Sequence, residues 1–251
     1  MGIEQAPPPI AVEDVTYSYD ETPAIEDISL SVDTGEFFGL IGPNGSGKTT
    51  LMKLMLGLLE PDQGDISLFG EPATEFADGT RLAYVSQQST EAKDRVPVTV
   101  REVVRMGRYP HVGLNELSEE DQRLLDTAIE TVGIEDLAER RIGKLSGGQK
   151  QRAFIARALA AEADLLALDE PMVGVDAEAR SRFYSLLDTL RDDGITIVLI
   201  DHDIEELLTH ADRLALINRQ VEYVGDTSSF LESDVLLETY GAPGATLRMM
   251  G

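Results

Sequence analysis

Cysteine is absent from the 251 residues, which excludes disulfides and thiolate metal sites and leaves the redox compartment open. Long apolar runs are missing as well: none approaches the roughly eighteen residues that a membrane-spanning helix needs. The first residues, MGIEQAPPPI, have no basic segment leading into a hydrophobic one, so a soluble or peripheral protein is expected. Basic side chains are scarce. There are 21 of them against 46 acidic ones, a formal net charge of −25, and only Lys48, Lys53, Lys93, Lys144 and Lys150 are lysines. A surface of that sign repels phosphate backbones and anionic headgroups, which argues against a nucleic-acid partner and against direct attachment to lipid. A carboxylate coat with few lysines suits multimolar salt, where screening shortens to about 3 Å, and a salt-loving source is expected. What the chain does have is 42% hydrophobic residues, ample for one large domain or two small ones.

After a lead over residues 1–9, IAVEDVTYSY and IEDISLSVD alternate apolar and polar positions around a turn near Thr22-Pro23, predicting a small antiparallel layer. EFFGLIG, a Gly-rich loop and TTLMKLMLGLL then read as strand, loop and helix. Helical patterning takes over in TVREVVRMG and SEEDQRLLDTAIETVG, the second opened by the Ser118–Asp121 spacing of a capping box and closed at Gly133. A helical subdomain over about residues 88–160 is therefore expected. Two β-α units follow, LLALDE with DAEARSRFYSLLDTLRDDG and ITIVLID with IEELLTHA, and a hairpin, RLALINRQVEYVG, closes the sheet. The core is α/β with parallel strands. No internal repeat, coiled coil or second nucleotide cassette is visible, and residues 241–251 read as a short tail.

Gly42-Pro43-Asn44-Gly45-Ser46-Gly47-Lys48-Thr49, with Thr50 following, matches the G-x-x-x-x-G-K-[ST] loop between a strand and a helix. Glycines there let backbone N–H groups wrap phosphates at a helix N-terminus, Lys48 neutralises phosphate oxygens, and Thr49 ligates Mg²⁺. Leu165 to Glu170 puts two carboxylates at the C-terminal end of an apolar strand, the rim where parallel sheets bind ligands. Asp169 suits the Mg²⁺ shell, and Glu170 suits the base that orients the attacking water. Leu145-Ser146-Gly147-Gly148-Gln149 precedes the helix KQRAFIARALAAE, so Ser146 and the glycine amides are expected to point at an anion. The chain already has one phosphate loop. A second anion site makes most sense if it closes over ATP held by a second copy, which implies a head-to-tail dimer.

With these motifs in this order, the chain resembles ATP-binding-cassette (ABC) ATPases from about Val12 to Gly225. The resemblance implies an α/β P-loop NTPase (RecA-like) core over residues 10–240, with an N-terminal antiparallel β layer and an inserted α-helical subdomain. It implies ATP and Mg²⁺ as cofactors. It likens Tyr19 to the aromatic that stacks on adenine, Gln87 in AYVSQ to the glutamine between Mg²⁺ and the permease contact, and His202 in IDHD to the histidine at the γ-phosphate. Read without it, Tyr19 is a packed strand residue beside Tyr17, Gln87 a surface amide and His202 a strand-end histidine. Asp176 in VGVD resembles the aspartate between the two ATP sites of a dimer, and it also reads as a helix N-cap. Ser86 and Asp201 depart from the usual pattern, Asp201 placing an extra carboxylate beside His202. His111 and His210 read as loop and helix-end residues, and no structural metal site is expected.

The segment VPVTVREVVRMGRYPHVGL resembles the same stretch in importer ATPases that handle metal ions, ferric siderophores and cobalamin, and the loop DEPMVGVD looks most like that of zinc and manganese importer ATPases. The resemblance thus implies a peripheral subunit at the cytoplasmic face of the cell membrane, beneath a separate permease fed by an extracytoplasmic substrate-binding protein. The alternatives are a ferric-siderophore or cobalamin importer ATPase and a soluble cofactor-assembly ABC ATPase.

Overall fold

Burial alternates along β1 (Ile10–Ser18), with Ile10, Val12 and Val15 inside and Glu13 and Asp14 outside. The same alternation shapes β2 (Pro23–Val32), which pairs with it antiparallel. The computed structural model describes residues 6–86, 97–113, 115–172, 175–235 and 239. The chain divides into two compact units, residues 1–77 with 196–251 and residues 78–195.

In the first unit β3 (Phe37–Ile41) is buried at all five positions, as befits a strand covered on both faces. It leads through the Gly-rich loop into α1 (Lys48–Met55). TTLMKLMLGLL was expected to be helical throughout, but α1 stops at Met55. Gly57 then turns left-handed at φ 66°, and a Cβ there would lie 2.1 Å from the Ala73 carbonyl oxygen. The chain descends instead into β4 (Gln63–Leu68) and β5 (Glu71–Pro72), so the antiparallel layer has four strands in the order β2-β1-β4-β5.

The second unit opens with β6 (Leu82–Val85). Its helical cluster comprises α2 (Val100–Arg105), the short α3 (Tyr109–Val112), α4 (Glu119–Thr131) and α5 (Gly147–Ala160). Thr99–Glu102 and Ser118–Asp121 close reciprocal capping boxes on α2 and α4, the second as the sequence predicts. Val100, Val103 and Val104 on α2, and Leu125 and Ile129 on α4, are buried where both helices pack on α5. Arg108 is 6% exposed yet charged, and it is compensated on all sides: it reaches Asp121 at 2.9 Å, Glu162 at 2.6 Å and the Ala160 carbonyl at 2.9 Å. β7 (Leu165–Asp169) runs parallel to β6, and α6 (Ala177–Asp192) follows.

The chain returns to the first unit through β8 (Thr196–Ile200), α7 (Ile204–His210), β9 (Arg213–Asn218) and β10 (Gln220–Asp226). β8 and β9 flank β3 as parallel neighbours, and β10 is hairpinned antiparallel on β9. A further helix, α8 (Thr227–Glu232), was not foreseen; Asp226 caps it by accepting from the Ser229 N–H at 2.8 Å. Among the described residues no helix is long and apolar enough to cross a membrane.

Candidate functional site

The loop between β3 and α1 is fixed by backbone geometry. Gly47 is the N-cap of α1 at φ 100°, and no side chain caps that helix, so its leading amides are not claimed by a cap. A Cβ on Gly47 would sit 2.5 Å from Ile25 Cγ2 and 2.7 Å from the Ala24 carbonyl oxygen, whereas one on Gly45 would meet nothing within 4 Å. One glycine is needed for packing; the other opens onto space a ligand can fill. Lys48 Nζ donates to the Gly42 and Pro43 carbonyls at 2.8 and 2.9 Å, arching across the loop. The Ser46 carbonyl accepts from the Arg219 N–H at 2.9 Å, and the Arg219 carbonyl accepts from Glu26 N–H at 2.8 Å, so the β9–β10 turn ties the loop to β2. Ser46 Oγ is buried without a hydrogen-bond partner. This orphaned hydroxyl, the uncapped helix end and the open cradle fit a bound phosphate. Pro43 and Asn44 are exposed at the rim, and Thr49 is half-buried in the first turn of α1.

Thr50 Oγ1 lies 3.5 Å from the Tyr19 hydroxyl, so the structure brings Tyr19 to the first turn of α1. Tyr19 lies just beyond the end of β1 and is 58% exposed, with its ring edge-on to Tyr17 at 5.0 Å. That removes the packed-strand reading and leaves an aromatic face open to stacking. His202 is exposed just past β8. Its neighbour Asp201 turns a carboxylate oxygen back to accept from the His202 and Asp203 N–H groups at 2.6 and 3.1 Å, which accounts for the carboxylate at that position as a strand-end turn.

In the second unit Asp169 ends β7 and is 5% exposed. Its Oδ2 accepts from the Tyr84 hydroxyl at 3.2 Å, and burial together with the Asp169 charge pushes the Tyr84 phenol pKa well up. Glu170 follows in a left-handed conformation, φ 49°, which breaks the strand. Ser146 is the N-cap of α5. Its Oγ accepts from the Gln149 N–H at 3.4 Å while Gln149 Oε1 accepts from the Ser146 N–H at 3.0 Å, a reciprocal capping box. Gly147 and Gly148 have ordinary backbone angles and room beside them, Val175 being the nearest group at 3.9 and 3.6 Å. These four residues line a cleft of about 370 Å³ shared with Arg152 and Arg182. Burial, and then the charge of Arg182, lower the Arg152 pKa; Arg152 also donates to the Val132 carbonyl at 3.4 Å, and Arg182 pairs with Glu178. The sequence reading missed both arginines and Tyr84; Arg152 follows the glycines by one turn, but Arg182 and Tyr84 arrive only through tertiary packing.

Asp176 caps α6 by accepting from the Ala179 N–H at 2.9 Å. Gln87, Val173 and Gly174 lie outside the described residues. His111 Nε2 contacts the Ala161 carbonyl at 2.9 Å, and His210 pairs with Glu206 at 3.4 Å.

A phosphate cradle at the end of a buried parallel strand, followed by a strand ending in paired carboxylates, defines a nucleotide-binding P-loop protein. Comparisons narrow the class. The ABC transporter family profile matches residues 25–173. Over 223 residues the chain is 44% identical to the zinc uptake system ATP-binding protein ZurA of Listeria innocua, spanning 88% of this chain and 87% of that one. It is 38% identical over 234 residues to the manganese transport system ATP-binding protein MntB of Bacillus subtilis, spanning 93% and 92%. An ATP-binding cassette solved as a dimer in a post-hydrolysis state, bound to ADP and Pi, superposes with a TM-score of 0.74 at 26% identity, over 87% of this chain and 98% of that one. The chain therefore belongs to the ABC transporter family, as a cassette that binds and hydrolyses ATP. The α/β core, antiparallel layer and helical insertion are those expected from the sequence.

Proposed function

We propose that this ATPase powers uptake of a divalent metal ion, zinc or manganese, through a separate membrane permease that receives its cargo from an extracytoplasmic binding protein. The observation that carries the proposal is the 44% and 38% identity, across about nine-tenths of the chain, to relatives named for zinc uptake and manganese transport. Residues 10–240 act as one cassette with residues 88–160 as its helical subdomain. Two copies pair head to tail at the cytoplasmic face of the membrane, a reading supported by the dimeric cassette with ADP and Pi.

The amides of residues 42–47 and the Lys48 ammonium hold the nucleotide phosphates, and the exposed ring of Tyr19 stacks on adenine. Thr49 and Asp169, with Gln87, hold Mg²⁺. When bound, that ion supplies charge neutralisation for the phosphate oxygens. Glu170 orients and polarises the attacking water, and His202 contacts the γ-phosphate. Ser146, Gly147, Gly148 and Gln149 complete the site of the partner copy, with Arg152 and Arg182 making their cleft attractive to an anion. The acidic surface leaves nucleic acid outside this scheme.

The test is reconstitution with permease and binding protein in vesicles. ATP hydrolysis accelerates when the binding protein carries Zn²⁺ or Mn²⁺. Stimulation by a ferric siderophore or cobalamin, with no response to either divalent ion, overturns the assignment in favour of that other cargo class.

A further inference from the structure

Tyr84 reaches Asp169 because of strand register. β6 and β7 are parallel, with Tyr84 opposite Ala167 and Val85 opposite Leu168. Asp169 lies two residues beyond Ala167 and so shares its face, a diagonal distance that only a long side chain spans. The phenol spans it: Tyr84 donates to Asp169 Oδ2 at 3.2 Å. At their other ends the same two strands are fastened by an Arg81–Asp164 ion pair at 2.5 Å, and the Arg81 carbonyl accepts from the Asp164 and Leu165 N–H groups at 2.9 and 3.0 Å. With both ends tied, the register has little freedom to slip, and Tyr84 stays opposite its target.

We infer that Tyr84 is a positioning residue for phosphoryl transfer, whose hydroxyl fixes the plane of the Asp169 carboxylate so that it meets the nucleotide's divalent cation already oriented. The inference rests on the proposed role of Asp169 as a cation ligand. An ionised carboxylate has about four lone-pair sites, so accepting one phenol hydrogen is compatible with ligating a cation. Outer hydrogen bonds of this kind typically change metal affinity or activity about 10- to 100-fold. At 5% exposure, Asp169 has little water available to take over from the phenol. Tyr84 also begins the short run Tyr84-Val85-Ser86 that leads into Gln87, so the same side chain ties the strand before that glutamine to the end of β7. A tyrosine that only filled space would be replaceable by phenylalanine, and that equivalence can be tested.

The full chain is compared as wild type, Tyr84→Phe and Asp169→Asn. Mg²⁺ is titrated against hydrolysis and, separately, against binding of a fluorescent ATP analogue, with an EDTA control. Tyr84→Phe should unfold at the wild-type temperature and bind the analogue normally in EDTA, yet need about 10-fold more Mg²⁺ both for half-maximal hydrolysis and for the Mg²⁺-dependent gain in binding. A Tyr84→Phe protein that titrates like wild type, while Asp169→Asn shifts strongly, overturns the positioning role alone. If Asp169→Asn also titrates like wild type, the reading of Asp169 as a cation ligand falls, and the role of Tyr84 falls with it. A lowered unfolding temperature together with weaker binding in EDTA marks Tyr84 as a packing residue and likewise overturns the inference.

Discussion

Two helix N-termini in this protein carry glycine-rich loops, at α1 and at α5, and they are built on opposite plans. At α1 the glycines have positive φ, Gly42 and Gly47 are hemmed in by their neighbours, the helix has no side-chain cap, and Ser46 leaves its hydroxyl unpartnered. At α5 the glycines are unstrained with open space beside them, and Ser146 and Gln149 satisfy the helix end between themselves. The first loop is shaped by its packing and left uncapped. The second is closed by its own cap, with room left beside Gly147 and Gly148. The difference teaches that glycine has two uses here: one permits a fold, the other permits an approach.

The comparison breaks most sharply at the step that would bring the two loops together. Glu170→Gln should lose hydrolysis by on the order of 10²-fold or more while retaining ATP. The variant should then elute as a dimer with Mg-ATP on a sizing column. A protein that stays monomeric and hydrolyses normally would falsify both the base assignment and the view that the α5 loop waits for a partner's nucleotide.

Next come the glycines. Gly47→Ala forces a Cβ to within 2.5 Å of Ile25 in a left-handed position and should cost about 2 kcal/mol or more in folding, with ATP binding lost. Gly148→Ala has ordinary angles and 3.6 Å of clearance, so its melting curve should overlay the wild type while dimer-dependent hydrolysis falls. Equal melting temperatures for the two variants would erase the distinction. The serines sharpen it further. Ser146→Ala loses a cap worth about 1 kcal/mol. Ser46→Ala removes a hydroxyl that is buried and unpartnered, so denaturant unfolding should show it unchanged or more stable by up to about 1 kcal/mol.

Smaller effects come from charge. At −25 the chain repels itself at low ionic strength, so melting temperature should climb from dilute buffer to molar KCl. A flat or falling trend rules out the salt-loving reading. The Ser118 hydroxyl and amide, helped by Arg108, hold the Asp121 pKa down from 3.8 to about 2. A depressed folded-state pKa stabilises above the unfolded value, and that contribution fades as pH drops from about 4 towards 2. Asp121→Asn should therefore trail wild type in melting temperature at neutral pH, with the gap narrowing in acid. A gap of constant width would remove Asp121 from the acid limb.

Periodicity and punctuation made most of the architecture legible beforehand. β3, β7 and β8 read as apolar runs, the Ser118–Asp121 box marks the start of α4, and the β9–β10 hairpin announces itself through alternation. The end of α1 was misread because Leu56, Leu58 and Leu59 continue a helical pattern that Gly57 breaks only through its contact with Ala73, sixteen positions along the chain. β4 and β5 were missed because QGDISLFGEP is short and interrupted by glycine, and they become strands only by pairing with β1 and with each other. Within the site, the loop from Gly42 to Thr49 and the Asp169-Glu170 pair are local in sequence and were readable. Tyr84 on Asp169 and Arg182 beside Arg152 depend on strand register and helix packing, for which a linear pattern carries no signal.

Glu170 sits at φ 49°, where a side chain costs of order 1 kcal/mol and glycine costs almost nothing. A library of this protein selected for heat resistance alone is therefore drawn towards glycine at position 170. On the role proposed for Glu170, the same library selected for growth on scarce metal is drawn back to glutamate. The left-handed residue at the end of β7 is then a place where durability and turnover pull the sequence in opposite directions.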